Sequence, residues 1–380
     1  YPNTTKAFKD IYKIFIELGM SKLIARKGVL CYILPNTLLL QPRYKDARGF
    51  LLNFKIVEIL NLGEGVFEQV VVPTCIIFIQ NDNNKSNILK FRDLSNMSKF
   101  KNSVNNVNYK IIEQINYNDT PDNIFIYKMR KLSEDEILLG EIMDLKDCGI
   151  KYQRIKIGLS KKGKSDLAER IFYKGNKKHE EDKKVLIGKD LDRKGWYINF
   201  SNNYYLRHNY KDLLKQNEIV YFNENFFNKN EKIIWRQTSS FFIGSLLTKP
   251  IWFANTLQAG ELINEFKSQY LIKYILALLN SKYLAYIYNF IVKEEGRVFP
   301  QIKLSKLKYL PIKKMSLSKQ KDFISIVDKI LSLTQSTEYL QDESRQKRVK
   351  EYTQQIDEMV YKLYNLPPEE IEIVEGFINK

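Results

Sequence analysis

The first 80 residues alternate between helix signals and continuous apolar runs, and this alternation restricts the fold more than any other feature of the sequence. Residues 10–26 place apolar side chains at helical spacing. Three runs then have the length and composition of buried strands, of the kind found in parallel sheets: VLCYIL at 29–34, KIVEILNL at 55–62 and TCIIFIQ at 74–80. A second helix is predicted from 37 to about 53. This order predicts part of a doubly wound α/β sheet, whose last two strands can pair as a hairpin.

The surplus positive charge of the chain is confined to residues 151–315. That segment holds 32 Lys and Arg against 15 Asp and Glu, a net charge of +17 that equals the value for the whole chain. Residues 1–150 hold 20 against 17, and residues 316–380 hold 9 against 12. A general bias toward Lys would raise its content in all three segments. A basic surface limited to one segment is typical of proteins that bind a polyanion, and it predicts nucleic acid as the partner.

Composition excludes several other classes of protein. The three cysteines, Cys31, Cys75 and Cys148, are an odd number without metal-ligand spacing, so we expect buried free thiols in a reducing compartment. Two histidines, His179 and His208, give little material for a zinc site, and no metal site is predicted. No apolar run reaches the roughly 18 residues of a membrane span, and we expect a cytoplasmic protein. The oligomeric state stays open.

Several motifs, in order, resemble one enzyme family. The runs GVLCYILPNTLL and FKIVEILNLGEGVFEQVVVPTCIIFIQ resemble the C-terminal half of the catalytic domain of adenine-N6 DNA methyltransferases of restriction-modification systems. In the basic segment, YQRIKIGLSKKGKSD, KKVLIGKDLDRKGWYINF, EIVYFNENFFNKNEKIIWRQTSS, KPIWFANTLQAG and VFPQIKLSKLKYLPI resemble a TaqI-type target-recognition domain. The end, QQIDEMVYKLYNLPPEEIEIVEGF, is similar to the tail of large type IIG-like enzymes that fuse methylation and cleavage.

The resemblance implies an organisation for the whole chain. A partial doubly wound methyltransferase sheet, a connector, an α+β target-recognition domain and a helical tail are expected over residues 1–80, 81–150, 151–315 and 316–380. Apolar spacing in the tail predicts an amphipathic helix pair that packs on the recognition domain. The alternative is a helical spacer or partner-binding arm, which would expose an apolar stripe at Ile326, Ile330 and Leu333.

Two parts of the family's catalytic machinery are absent from this sequence. Such enzymes hold S-adenosylmethionine at a Gly-containing turn and the target adenine on an Asn-Pro-Pro-Tyr loop, which does not occur here. Residues 10–26 resemble the helix that follows that loop, so the implied cofactor site lies upstream, and a fused nuclease would add Mg²⁺. Phe67 falls on the family's aromatic that stacks on the flipped base. The alternative, a loop aromatic folded under the sheet, carries equal weight.

The basic segment supplies the candidate DNA contacts. Lys and Arg neutralise phosphates, whereas Arg, Asn and Gln can bind base edges in the major groove. Arg236 is the favoured base reader because it follows the strand KIIW and precedes the loop QTSS, and Arg154 on the alternating strand YQRIKIG is second. For any single Lys, a solvated surface charge is the commoner explanation. The predicted contacts are Arg154, Lys161, Lys162, Lys164, Lys189, Arg193, Lys194, Arg236, Gln237, Asn255 and Arg297.

Some motifs imitate other sites. GLSKKGKS at 158–165 fits the pattern of a phosphate-binding P-loop, but the preceding QRIKI alternates as a half-exposed strand does, so a DNA-facing loop is favoured. The triplets at 181–183 and 265–267 match the acidic-x-Lys end of a nuclease site, yet such triplets arise by chance in a Lys-rich chain. Gly63-Glu64-Gly65 lacks the third glycine of a dinucleotide fingerprint.

The sequence therefore predicts sequence-specific DNA recognition within an adenine-N6 DNA methyltransferase, with this chain alone unable to transfer a methyl group. The alternative from another class is a non-catalytic specificity subunit that serves separate enzymes. A P-loop nucleotide-binding protein is the weakest hypothesis. An in-frame Asn-Pro-Pro-Tyr in the complete reading frame would decide between the first two.

Overall fold

The computed structural model divides into two compact units, Tyr1–Lys131 and Leu132–Lys380. The finer boundaries predicted at residues 80, 150 and 315 stay predictions. The structure describes residues 1–6, 9–63, 65–67, 72–83, 86–94, 109–118, 120–125, 132–155, 161–192, 195–292, 301–336 and 338–378.

The described residues of the first unit form a mixed five-stranded sheet. Its strands are β1 Val29–Pro35, β2 Lys55–Gly63, β3 Thr74–Gln80, β4 Ile88–Asp93 and β5 Lys110–Glu113. They lie in the order β1-β3-β2-β4-β5, and the predicted hairpin is confirmed because β2 and β3 pair antiparallel. β4 pairs in parallel with β2, so part of the segment predicted as a connector belongs to this sheet.

The helices of this unit are shorter than the sequence predicts. α1, Ile11–Leu18, continues as a π-helical turn to Leu23. The single helix expected from 37 to 53 is wrong. Pro42 has no amide hydrogen and forces Gln41 into an extended conformation, so α2, Thr37–Leu40, ends there. A 3₁₀ turn follows, and α3 occupies Lys45–Leu51.

The expectation of a parallel, fully buried first strand is also wrong. β1 pairs antiparallel with β3, and its burial alternates along the strand. Leu30 and Leu34 join the core shared with α1, α2 and α3, whereas Val29 and Ile33 on the opposite face are exposed. Cys31 lies on that exposed face, so the prediction of a buried thiol fails for this residue. Cys75 and Cys148 are buried, and all three cysteines are free.

The described residues of the second unit form several sheets and helices. The strands are β6 Glu136–Leu138, β7 Met143–Lys146, β8 Lys151–Arg154, β9 Phe172–Lys174, β10 Lys183–Leu186, β11 Tyr204–Leu206, β12 Glu218–Tyr221, β13 Lys232–Arg236, β14 Gly244–Leu247, β15 Trp252–Phe253, β16 Leu257–Leu262 and β17 Pro311–Lys313. Two sheets are four-stranded, with orders β15-β10-β11-β9 and β14-β13-β16-β7, and two are the pairs β12-β8 and β17-β6. The helices are α4 Leu139–Ile142, α5 Lys161–Ile171, α6 Glu224–Phe227, α7 Ile272–Leu279, α8 Lys282–Val292, α9 Leu304–Leu307, α10 Leu317–Thr334, α11 Glu343–Leu363 and α12 Pro368–Ile378.

The C-terminal helices share one core with the basic segment. Phe323 on α10 and Ile356 on α11 belong to the same buried cluster as Trp235 on β13. Ile330 is buried and Ile326 and Leu333 are half-buried, so the exposed apolar stripe of a spacer helix is not formed. Among the described residues, no helix has the length and apolar character needed to cross a membrane.

Candidate nucleic-acid interface

Residues 190–192 and 195–199 pair with each other in the second unit. Leu191 and Ile198 make an isolated antiparallel bridge, and the Asp192 amide donates to the Tyr197 carbonyl at 3.0 Å. The Asn199 amide donates to the Asp190 carbonyl at 2.7 Å, and the Gly195 amide donates to the Asp192 carbonyl at 3.1 Å. We call residues 190–192 and 195–199 the basic hairpin, because Arg193 and Lys194 lie between these two segments in the sequence; both are outside the described residues.

Arg236, the favoured base reader, attaches to this hairpin. It is the last residue of β13, and its Nε donates to the Leu191 carbonyl at 2.8 Å while its Nη2 donates to the same oxygen. The side chain is half-buried. The strand end thus presents Arg236, as the sequence predicts. Two of its donors, however, are engaged by the protein's own backbone.

Three more candidate residues lie on loops that are hydrogen-bonded to one another. The Gly188 amide donates to Oγ1 of Thr256 at 2.8 Å, and the Gln237 amide donates to the Thr256 carbonyl at 3.0 Å. These bonds link the 3₁₀ turn that carries Lys189, the end of β13 and the turn that carries Asn255. Lys189 and Asn255 are exposed and Gln237 is half-buried. We call residues 188–192, 236–237 and 255–256 the loop cluster.

Arg154 sits on a different sheet. It pairs across β8 and β12 with Glu218, whose carboxylate accepts two bonds of 2.9 Å from Arg170 on α5. Burial opposes ionisation of Glu218, but the Lys215 amide and the Arg170 guanidinium outweigh it, so the pKa of this carboxyl is lowered. The buried Nε of Arg154 has no hydrogen-bond partner among the described residues. A role in DNA contact stays a prediction.

The other predicted residues are placed as follows. Lys164 is exposed on the first turns of α5. Lys161 and Lys162 belong to the same turns, and their side chains are not among the parts that the structure describes. Arg297 falls outside the described residues. In the first unit, Phe67 follows β2 with 47% of its surface exposed, so it is not folded under the sheet. The sequence motifs alone could not indicate which of these residues folding brings together.

Folding also assembles a cluster that the sequence did not predict. The chain's two histidines, His179 and His208, stack with ring centroids 3.8 Å apart beside the buried carboxylate of Asp182. Asp182 accepts bonds from the Tyr173 hydroxyl, the His179 amide, the His208 amide and Nδ1 of His208. Burial opposes its ionisation, but these hydrogen bonds outweigh burial and hold the pKa of Asp182 below its usual range.

The histidine cluster offers little to a metal ion. Together the three residues bring potential ligand atoms within 4.8 Å of one another. The four bonds to Asp182, however, occupy about all the lone-pair positions of a carboxylate. Nδ1 of His179 accepts from the Glu181 amide at 3.2 Å. In that tautomer the other nitrogen, Nε2, carries the proton and is not a ligand.

The surface around this cluster is cationic. Lys174, Lys177 and Lys178 are exposed near the end of β9. The cationic groups of Lys178 and Arg207 lie 5.2 and 4.9 Å from the centroid of the Tyr173 ring. The second unit therefore presents cations both at the loop cluster and at this strand end.

Two protein families match parts of the chain. Residues 183–312 match the TaqI-like C-terminal specificity domain, and residues 1–67 match the Eco57I restriction-modification methylase. No curated protein sequence matches the chain. The family matches confirm the resemblance that the motifs indicate.

Solved structures of restriction-modification enzymes are similar to the chain. One is the type IIL enzyme MmeI, solved in complex with DNA. The match covers 97% of this chain and 52% of the MmeI chain, at 11% identity and a TM-score of 0.51. The match to the ATP-dependent type ISP enzyme LlaBIII bound to DNA covers 87% of this chain and 27% of the LlaBIII chain, at 11% identity and a TM-score of 0.46. The match to the DrdV–DNA complex covers 87% of this chain and 40% of the DrdV chain, at 11% identity and a TM-score of 0.45.

The chain spans about half the length of MmeI. At such low identity the likeness to MmeI concerns the fold alone, which is a mixed α/β architecture of several sheets and helices. Each family match covers less than half of the chain, so each is a resemblance over the matched residues alone.

Proposed function

We propose that this chain is the DNA-recognising part of a restriction-modification enzyme that methylates adenine at N6 within a specific sequence. One observation carries the proposal: the specificity-domain match at 183–312 falls inside residues 151–315, which hold the whole net charge of +17. A basic face supplies the sequence-independent part of DNA affinity. Relatives of the same fold, such as MmeI, were solved with DNA bound. The adenine specificity rests on the motifs of the first 80 residues.

In this proposal the loop cluster contacts the duplex. Lys189 neutralises phosphates, and Gln237 and Asn255 offer the amide groups that pair with adenine in the major groove. Lys164 on α5 adds a second phosphate contact. The target adenine leaves the helix, because a base inside the duplex cannot be reached, and it stacks on Phe67. The exposed ring of Phe67 supports that role.

S-adenosylmethionine would supply the methyl group when bound. The chain has no Asn-Pro-Pro-Tyr motif, and its residues do not provide the family's cofactor site, so no step of the transfer is assigned to them. Mg²⁺ would belong to a fused nuclease. We place the protein in the cytoplasm, where its DNA substrate would be.

The alternatives have weaker support. A separate specificity subunit would not need the methylase segment that matches at 1–67. A P-loop would need the hydroxyl of Ser165 for a magnesium ion, but this hydroxyl donates to Glu169 at 2.9 Å. The strand before it, β8, is half-exposed in a two-stranded sheet.

Two measurements test the proposal. Selection from a pool of duplexes with a randomised central segment should enrich one sequence when the chain is the bait. Genomic DNA from cells that express the complete protein should carry N6-methyladenine within that same sequence. Enrichment without methylation would favour the specificity subunit. No enrichment, with the chain folded, would contradict the proposal.

A further inference from the structure

The basic hairpin is held in a strained conformation by buried contacts. Trp196 has a φ of 68°, a left-handed value that is rare for a bulky residue, and the preceding Gly195 has a φ of 79°. The Trp196 indole is buried, and its Nε1 has no hydrogen-bond partner among the described residues. Such a backbone conformation persists only where the surroundings fix it, and it is often found at functional sites.

Two elements of the second unit, β14 and α10, contact the backbone of Trp196. Its amide donates to the Gly244 carbonyl on β14 at 3.1 Å, and its carbonyl accepts from the Ser245 hydroxyl at 2.6 Å. The Thr334 hydroxyl at the end of α10 lies 3.4 Å from the same carbonyl and 3.2 Å from the Leu331 carbonyl, so its single proton is shared between the two oxygens. The next residue, Tyr197, packs its ring 5.1 Å from the ring of Tyr339, which follows α10. The C-terminal helices therefore support one strand of the hairpin.

Arg236 fixes the other strand. Its Nε and Nη2 both donate to the Leu191 carbonyl, directly before Asp192 at the turn. These bonds hold the Arg236 guanidinium in one orientation, and they also hold the hairpin backbone at Leu191 against β13. A side chain committed in this way has fewer donors for a bidentate contact with guanine, which the sequence had suggested.

We infer that Arg236 and Thr334 are positioning residues, which set the orientation in which the basic hairpin meets DNA. The inference rests on the proposed function and goes beyond it. It gives the C-terminal helices a part in sequence recognition, and it assigns the effect of Arg236 on specificity to the hairpin.

Duplex selection with variants tests the inference. We expect Arg236→Ala to lower the preference for the selected sequence over random duplex by about tenfold or more. The slope of log affinity against log salt should stay unchanged, because no phosphate contact is lost. Thr334→Val should act in the same direction and more weakly. Thr353→Val is the matched control, since among the described residues its hydroxyl donates to the Val349 carbonyl within the same helix, α11.

A double-mutant cycle separates positioning from direct contact. If Arg236 acts through the hairpin, its loss should add little to Arg193→Ala combined with Lys194→Ala. Additive effects, or loss of discrimination at one base position alone, would overturn the inference in favour of base contact. A salt slope reduced by about one would overturn it in favour of phosphate contact.

Hydrogen exchange tests the same point without DNA. In Arg236→Ala the amides of Asp192, Tyr197 and Asn199 should lose protection while those of α7 keep it. Unchanged hairpin protection would overturn the inference whatever the binding data show. A different result separates the two proposals: wild-type protein selects no sequence, but the hairpin amides respond to Arg236→Ala as expected. The proposed function would then fail, and so would the role of Arg236 in specificity. The structural coupling between Arg236 and the basic hairpin would stand.

Discussion

Asp357 on α11 is a buried carboxylate whose replacement should stabilise the protein. Its Oδ1 accepts from the Lys282 amide at 2.8 Å, at the start of α8. Its Oδ2 is buried without a hydrogen-bond partner in the described structure, and Nζ of Lys282 is 3.9 Å away. Burial therefore raises the pKa of Asp357 from its ordinary 3.8 to about 6. Asp357→Asn keeps the Oδ1 acceptor and removes the charge.

The size of the effect follows from the raised pKa. One pKa unit corresponds to about 1.4 kcal/mol, so the folded state disfavours the ionised carboxyl by about 3 kcal/mol. Because the folded pKa lies above the unfolded one, the stability that protonation contributes is present below pH 3.8 and is lost as pH rises through about 6. Above that pH, Asp357→Asn should raise the free energy of unfolding by about 1 to 3 kcal/mol.

Urea unfolding from about pH 4 to pH 8 measures this directly. All three tryptophans, Trp196, Trp235 and Trp252, lie in the second unit, so their fluorescence reports its unfolding. Asp322→Asn, at an exposed position of α10, is the control for the same chemical change. If Asp357→Asn is no more stable than wild type near pH 8, or keeps the full decline between pH 4 and pH 7, the reasoning is refuted.

Three further predictions concern other residues. Asp182→Asn should lower the free energy of unfolding by about 2 to 4 kcal/mol at neutral pH, since it removes a charged acceptor of four bonds. Because folding lowers the pKa of Asp182, this loss should be complete above pH 3.8 and should shrink as pH falls from 3.8 through the lower pKa of the folded state. A pH-independent loss would contradict the prediction. Lys164→Ala should weaken binding to every duplex and should reduce the slope of log affinity against log salt by about one. Lys319→Ala on α10 is the control and should change neither quantity. Equal behaviour of the two variants would refute a phosphate contact by Lys164. Phe67→Ala should remove about 1 to 3 kcal/mol of stacking on the flipped base, and it should therefore reduce the change in 2-aminopurine fluorescence when the complete protein flips that base. The free energy of unfolding should change little, because the ring is exposed. Unaltered flipping would exclude the stacking role.

Local pattern was sufficient for the strands of the first unit. The runs at 29–34, 55–62 and 74–80 became β1, β2 and β3 within a residue of the predicted bounds, because continuous apolar sequence specifies strand strongly. It did not specify which faces would be covered. The exposure of Cys31 depends on helices packing on one side of the sheet, which only long-range contacts determine. Pro42, by contrast, was visible in the sequence, and its break of the second helix could have been predicted.

The site depended more on long-range contacts. The position of Arg236 at a strand end was predictable from KIIWRQ, but its bonds to Leu191, 45 residues earlier, were not. The stacking of His179 and His208 likewise joins separate segments. One signal was available: Gly195 follows two cations in the sequence, and glycine readily adopts the left-handed backbone that this position has. The residues that support Trp196 come from β14 and α10, and no local pattern connects them.

The salt dependence of duplex binding tests the central claim most directly. The folded chain should be titrated with double-stranded DNA over a range of salt concentrations. The account predicts measurable affinity whose logarithm falls linearly with the logarithm of salt concentration, because cations of residues 151–315 displace counterions from the phosphates. Absent affinity, or affinity that does not change with salt, would contradict it.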